Sequence, residues 1–324
     1  MTMFRMIDTG KDGAGVTLRA VVEGAGPLVI MVHGFPESWY SWRHQIAPLA
    51  RAGFTVAAID TRGYGGSDKP APVAAYAMEQ MVADLVGVAD SLQPDAPAIL
   101  LGHDWGAMIV WNAALARPDR FRAVAALSVP WPGIAARPFT EVFREVYTAQ
   151  GRFFYQEWFQ PEGQAEAEAE RDVRDFLRKF YFALSGDAPP GAWPAKAADA
   201  TLLEGLADPG TFPAWLTPAD LDYYVAEFTA SGFRGPLNRY RNHERDFAWQ
   251  QQFAGRRIEQ PALFIGGTKD VATTLFGAVP DPVAMMRALM PRIDGHVLDG
   301  CGHWTQQERP DEVNALLRAW LSRL

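Results

Sequence analysis

Cysteine is almost absent. Cys301 stands alone among 324 residues, so no internal disulfide can form and the chain suits a reducing compartment. Long apolar runs are missing too. The longest, around "PLVIMV", falls far short of a bilayer, and the opening "MTMFRMIDTGKDGAG" has no apolar stretch of the signal-peptide type. Both absences point to a cytoplasmic protein that meets no membrane. Lysine and arginine form no run: 30 basic residues are scattered among 38 acidic ones, for a formal charge of -8, so nothing can track a phosphate backbone and nucleic acid is not an expected partner. Neither the H-E-x-x-H nor the paired-cysteine spacing of metal sites occurs, and "GTKD" lacks the glycine pattern of a phosphate loop, so no metal and no cofactor is expected.

Apolar side chains are plentiful. At 48% hydrophobic and 12% aromatic, the chain can bury a large core as one elaborated domain or two small ones. Short apolar runs each end at a glycine or turn signal: "PLVIMVHGFPE", "FTVAAIDTRGYGGSDKP", "APAILLGHDWG", "FRAVAALSVP", "PALFIGGTKD" and "GHVLDGCGHW". Helical patterns such as "AMEQMVADLVGVADSL" lie between several of them, the alternation of a mostly parallel sheet flanked by helices. The pattern breaks after Pro132, where the sequence turns helical, acidic and aromatic, and strand patterning resumes at "PALFIGG". The expected organisation is therefore an α/β core of residues 1–132 and 253–324, interrupted by a helical cap, residues 133–252. Within the cap, "GDAPPGAWPAKAADA" reads as an extended loop and "AEAEAERDVRD" as a solvated acidic helix face.

The stretch "LLGHDWGAMIV" carries the chemistry. Glycine, any residue, a reactive side chain, any residue, glycine is the frame of a strand-to-helix elbow that usually holds serine, and here Asp104 occupies its centre. The frame alone is weak evidence, and a bland alternative is an aspartate that caps the helix. Context favours the elbow, because "AILL" before it reads as a strand and "AMIVWNAALA" after it as a helix. In this elbow fold the nucleophile comes first, then an acid, then a histidine. Asp270 follows the strand "ALFIGG" and His303 lies in a glycine-bounded loop after the last strand, both at strand ends where open α/β sheets build sites. His44 and His243 fall in helical stretches and His296 opens a strand, so packed or solvated roles suit them; His103 adjoins Asp104 but points away from it. Cys301, unframed by any elbow, reads as a small buried side chain.

Along nearly its whole length the chain resembles the soluble epoxide hydrolases of the α/β-hydrolase fold. "HGFPESWYSWRHQ", "DTRGYGGSDKP", "GHDWGAMIVW", "FFYQEWFQ", "GFRGPLNRYRNHER" and "DGCGHWTQQERP" carry the resemblance. The elbow and histidine segments are shared with dehalogenases; the two cap segments are more specific. The resemblance implies that Asp104 is the nucleophile, His303 the base and Asp270 the acid that orients it. It also implies a cap tyrosine pair, Tyr155 and Tyr240, and an oxyanion hole from the backbone N–H groups of Phe35 and Trp105, with His33 and Pro36 shaping that turn. Two segments depart from the family: "FQPEGQAEAE", where Glu-Pro-Gly is more common, and Arg239, often aromatic in relatives and expected at the pocket rim.

These residue types suit the reaction. A carboxylate is ionised near neutral pH and can displace a leaving group at saturated carbon, giving an ester that water, activated by histidine, then hydrolyses. An epoxide oxygen leaves only if it receives a proton or hydrogen bond, which a phenol in a dry site supplies. Tyrosines in an aromatic insertion are more often packing residues, and Tyr223 and Tyr224 are read as packing residues or pocket walls. The expected partners are a small hydrophobic epoxide and water, with monomer and homodimer both open. A haloalkane or haloacid dehalogenase is the near rival, although the tyrosine pair speaks against it, as does Trp105, where arginine follows the aspartate in fluoroacetate-acting relatives. A ligand-binding protein that has lost its chemistry is the rival of another class.

Overall fold

The computed structural model describes residues 2–10, 15–273 and 281–324. Its eight strands are β1 (Phe4–Asp8), β2 (Thr17–Glu23), β3 (Leu28–Val32), β4 (Thr55–Ile59), β5 (Ala98–His103), β6 (Phe121–Leu127), β7 (Ala262–Gly267) and β8 (Ile293–Leu298). They form one sheet in the order β1-β2-β4-β3-β5-β6-β7-β8. Strands β3 to β8 pair in parallel, and β1 and β2 add an antiparallel edge. The apolar runs pick out the six parallel strands; the edge hairpin lacks their continuous apolar signal because β1 is largely exposed. Strand β8 starts at Ile293, so His296 lies inside it rather than opening it.

Parallel strands are wetted on neither face, and β3 shows how. Leu28, Ile30 and Val32 enter one core cluster while Val29 and Met31 enter another, so a strand of period two feeds both sides of the sheet. Helices cover both clusters. In Pro310–Leu321, Val313, Leu317, Trp320 and Leu321 are buried, a stripe at i, i+4, i+7 and i+8. This is the α/β-hydrolase fold.

Between β6 and β7 the chain runs through helices Phe139–Val146, Tyr155–Trp158, Gln164–Arg171, Val173–Ala183, Pro218–Ser231, Arg234–Tyr240 and His243–Gln250. The five from Tyr155 to Tyr240 share a third cluster with Phe35 and Trp304 of the sheet side, which seats them over the ends of the strands. Helix Pro218–Ser231 begins with a capping box, Thr217 and Asp220, and Asp220 also accepts from the Tyr40 hydroxyl at 2.9 Å. One carboxylate thus starts the helix and ties it to the core.

The acidic helix expected to face solvent does so only in part: Glu170 and Asp172 are exposed, but three carboxylates also hold the fold together. Glu166 is buried and takes two bonds from Arg241, at 2.6 and 2.9 Å, Glu168 accepts the N–H groups of Leu202 and Leu203, and Glu170 accepts that of Phe233. Each carboxylate is matched by donors brought from distant sequence, which the local charge pattern could not reveal.

Candidate active site

Strand β5 ends at His103 and a helix starts at Trp105, so Asp104 makes the turn alone, at φ 53° and ψ -119°. That backbone is costly for a residue with a side chain, and neighbouring glycines allow it. A Cβ on Gly106 would stand 2.0 Å from the Val32 carbonyl oxygen, and one on Gly102 would stand 2.3 Å from that of Gly106. The strand and helix can approach only because both positions are bare. Asp104 makes no capping bond with its side chain, which sets aside the capping alternative. Its Oδ1 accepts instead from the Phe35 N–H at 2.8 Å.

The loop that supplies Phe35 is held from below. His33 Nδ1 lies 2.8 Å from the Gly34 carbonyl, and its Nε2 accepts from the Thr61 N–H at 3.1 Å, so the Nδ1 proton donates. The Phe35–Pro36 bond is cis, and the Pro36 carbonyl accepts from the Tyr181 hydroxyl at 2.5 Å. Glu37 reaches the Gly34 N–H at 3.0 Å and His103 Nδ1 at 2.7 Å. Burial alone would raise the Glu37 pKa, but His103 and the Gly34 N–H outweigh it and hold the carboxyl at about 2. His103 points away from the Asp104 carboxylate, as the sequence predicts, and its Nε2 meets the carbonyl of His303 at 2.7 Å. The backbone N–H of Trp105 heads the helix that starts there.

His303 stands between two carboxylates. Its Nδ1 is 3.0 Å from Asp270 Oδ1 and its Nε2 is 3.5 Å from Asp104 Oδ2. Burial disfavours the imidazolium, yet Asp270 and Asp104 outweigh burial and raise the His303 pKa well above the ordinary histidine value. Asp270 is 1% exposed; burial pushes its carboxyl up, and His303, Ser128 and the Ala272 N–H together bring it below the usual value. Ser128 was not among the sequence-derived candidates. Its Oγ is 2.5 Å from Asp270 Oδ2 and 2.8 Å from His303 Nδ1. The available signal was its place after the run "AVAAL", at a strand end, as for Asp104 and Asp270.

Two tyrosines face this group from segments 85 residues apart in the chain, Tyr155 and Tyr240, with ring centroids 6.0 Å from each other. Arg241 clamps their segments together by donating to the carbonyls of Phe159 at 2.9 Å and Pro161 at 3.1 Å, while Gln160 Nε2 donates to the Tyr240 carbonyl at 3.0 Å. Burial, then the charge of Asp104, raises both phenol pKa values, so both hydroxyls keep their protons. Gln156 Nε2 donates to the Tyr155 oxygen at 2.8 Å. Asp104, His303, Tyr155, Tyr240, Phe35 and Trp105 all line one cavity of about 450 Å³, whose other walls are mainly apolar.

Arg239 is not at a rim. It is 2% exposed, pairs with Asp246, and lays its guanidinium 4.7 Å from the Trp105 ring. Asp246 supplies a counter-charge from the next helix, so the cation can replace an aromatic side chain inside the protein. Tyr224 bonds Ser41 and Tyr223 accepts from the Trp39 indole, both away from the cavity, in keeping with packing roles. Cys301 is fully buried. Among the described residues no three His, Cys, Asp or Glu side chains are grouped to hold a metal ion, and no helix is long and apolar enough to cross a membrane.

The α/β hydrolase fold family matches residues 27–199. The chain is 43% identical to epoxide hydrolase A of Mycobacterium tuberculosis over 99% of this chain and 97% of that one. A solved epoxide hydrolase from an endophytic Streptomyces superposes with a TM-score of 0.92 at 47% identity, covering 99% of this chain and 95% of its own. Epoxide hydrolase A from Mycobacterium thermoresistibile gives 0.91 at 41% identity, covering 99% and 98%. With an aspartate at the elbow, Tyr155 and Tyr240 across the cavity and likeness along the full length, the chain belongs to the epoxide hydrolases of the α/β-hydrolase fold.

Proposed function

We propose that the protein converts epoxides to vicinal diols through an ester on Asp104. The supporting observation is a single cavity in which the Asp104 carboxylate, bound at Oδ1 by the Phe35 N–H at 2.8 Å and flanked at Oδ2 by His303, faces two protonated tyrosines. Residues 133–252 act as the cap that brings those tyrosines over the nucleophile.

In the first step Asp104 Oδ2 attacks one ring carbon, the carbon–oxygen bond opens, and the oxygen takes a proton from Tyr155 or Tyr240. In the second, His303 Nε2 removes a proton from water, which attacks the Asp104 carboxyl carbon. Asp270 holds the Nδ1 proton in place and balances the imidazolium. The N–H groups of Phe35 and Trp105 receive the oxyanion; as it collapses the imidazolium returns its proton to the departing diol oxygen, and the proton left on the Asp104 carboxyl passes to the tyrosinate, so that Asp104, His303 and the tyrosine are all restored. No cofactor takes part. The apolar walls favour hydrophobic substrates such as aryl epoxides.

Oxygen labelling tests the covalent route. With enzyme in excess over styrene oxide in heavy-oxygen water, the diol from one turnover should be unlabelled and the label should appear in Asp104. Labelled diol from the first turnover, with an unlabelled aspartate, would mean that water attacks the ring directly.

A further inference from the structure

Among the described residues, two other than glycine have a positive φ: Asp104 at 53° and Ser128 at 72°. Such backbone is strained for a residue with a side chain and survives where surrounding structure enforces it, commonly at functional sites. Asp104 is the elbow residue. Ser128 is fully buried directly after β6, its N–H donates to the Ile265 carbonyl at 2.9 Å, and the bond from the Val129 N–H to the Leu127 carbonyl, also 2.9 Å, closes a three-residue turn around it. That turn carries the side chain to the side of the base and its acid.

The hydrogen-bond valence there is determined. A hydroxyl has one proton, and at 2.5 Å from the Asp270 carboxylate it must donate to Oδ2. The oxygen of Ser128 is then left to accept, and the atom 2.8 Å away is His303 Nδ1. Asp270 Oδ1 at 3.0 Å is an acceptor as well, so Nδ1 carries the ring proton and shares it between two oxygens. Nε2, the nitrogen beside Asp104, is thereby left with its lone pair whenever the ring is neutral.

We infer that Ser128 is a positioning residue for the second half of the reaction: it bridges Asp270 and His303 and locks the tautomer in which Nε2 can take a proton from water. This rests on the two-step reading above. Ring opening draws its proton from the tyrosines and does not need Nε2 as a base, so Ser128 bears on ester hydrolysis and not on alkylation.

Ser128→Ala and Ser128→Gly together are the test: alanine removes the hydroxyl alone and keeps the backbone cost, whereas glycine removes the whole side chain and accepts the positive φ. Alkylation and hydrolysis rates are read from rapid-mixing single turnovers with styrene oxide, and the ester is followed by intact mass and located on the Asp104 peptide. In both variants alkylation should stay within about twofold of wild type while hydrolysis slows by about 10- to 100-fold, the range associated with losing one orienting partner. The acid limb of the hydrolysis rate should also shift, because the Asp270 carboxylate loses a donor and the His303 Nδ1–H loses an acceptor. An effect of packing alone would instead follow stability, with alanine worse than glycine, both steps slowed together and the pH profile unmoved; that result overturns the assignment. Wild-type hydrolysis in Ser128→Gly overturns it equally. If the wild-type enzyme turned over without any ester on Asp104, the two-step reading itself would fall, and the role of Ser128 with it.

Discussion

At the scale of single residues the proposed chemistry turns on His303. Its raised pKa comes from two carboxylates, and only one of them is permanent: once Asp104 is esterified its charge is gone, and the ring is left with Asp270 as its anionic partner. The expected outcome is a base that holds its proton in the free enzyme and gives it up in the intermediate. In the proposed second step the ring must be neutral, so hydrolysis should slow as pH is lowered, whereas alkylation, which does not use the neutral ring, should hold over that range. Ester should therefore accumulate on the acid side, as measured by quenched-flow mass spectrometry; equal pH dependence of both steps would remove His303 from the second. His303→Gln should trap the ester at all pH values, with added mass equal to the epoxide on the Asp104 peptide. In the proposed reaction the tyrosines serve the first step. Tyr155→Phe or Tyr240→Phe should slow alkylation by about 10- to 100-fold and the double change by about 10³-fold or more, since general acids contribute on that order. Near-normal alkylation in the double variant would assign the proton to another donor.

At the scale of elements, the helices Arg234–Tyr240 and His243–Gln250 are joined by the buried pair of Arg239 and Asp246. Asp246 also accepts from the Met78 N–H at 2.7 Å, at the start of helix Met78–Leu92, so the pair anchors the insertion to the core. Removing one member of a buried pair leaves an uncompensated charge, and Asp246→Ala should cost about 3–5 kcal/mol by urea denaturation, whereas Arg239→Met with Asp246→Leu should recover most of that loss. A double variant as unstable as the single one would show that shape, not charge balance, sets the cost. The guanidinium also packs on Trp105, so the single variant should lower activity by loosening the cavity wall.

For the whole molecule, buried carboxylates tie stability to pH. Glu37 is lowered from an ordinary 4.5 to about 2, so the folded state binds its proton more weakly than the unfolded chain. Its contribution is present above about pH 4.5 and is lost as pH falls toward 2. Asp270 is shifted in the same direction and adds to the effect. The urea midpoint should drop between pH 5 and pH 3, and Glu37→Gln should make that drop smaller; an equal drop in the variant would mean that other groups govern acid unfolding. Glu37 sits where three parts of the molecule meet, bonding the Gly34 N–H, His103 and the side chains of Gln306 and Gln307, so its protonation loosens the Phe35 loop and the His303 loop together.

Local patterning was enough to reveal the parallel strands, the elbow at Asp104 and the order of Asp104, Asp270 and His303, because period, glycine placement and chain order are all properties of neighbouring residues. Tyr155 and Tyr240 were legible only through family resemblance, since nothing in an aromatic helix distinguishes a proton donor from a packing ring. Tertiary structure alone decided the rest. Ser128 is one small polar residue at a strand end until the sheet sets Asp270 and His303 against it. The acidic helix reads as wholly solvent-facing, and only the fold shows Arg241 and remote N–H groups meeting its carboxylates. Arg239 reads as a rim residue until Asp246, seven positions on, closes over it. In each case the deciding partner is distant in sequence or turned inward by packing, and the worth of a polar group depends on whether such a partner arrives before water is excluded.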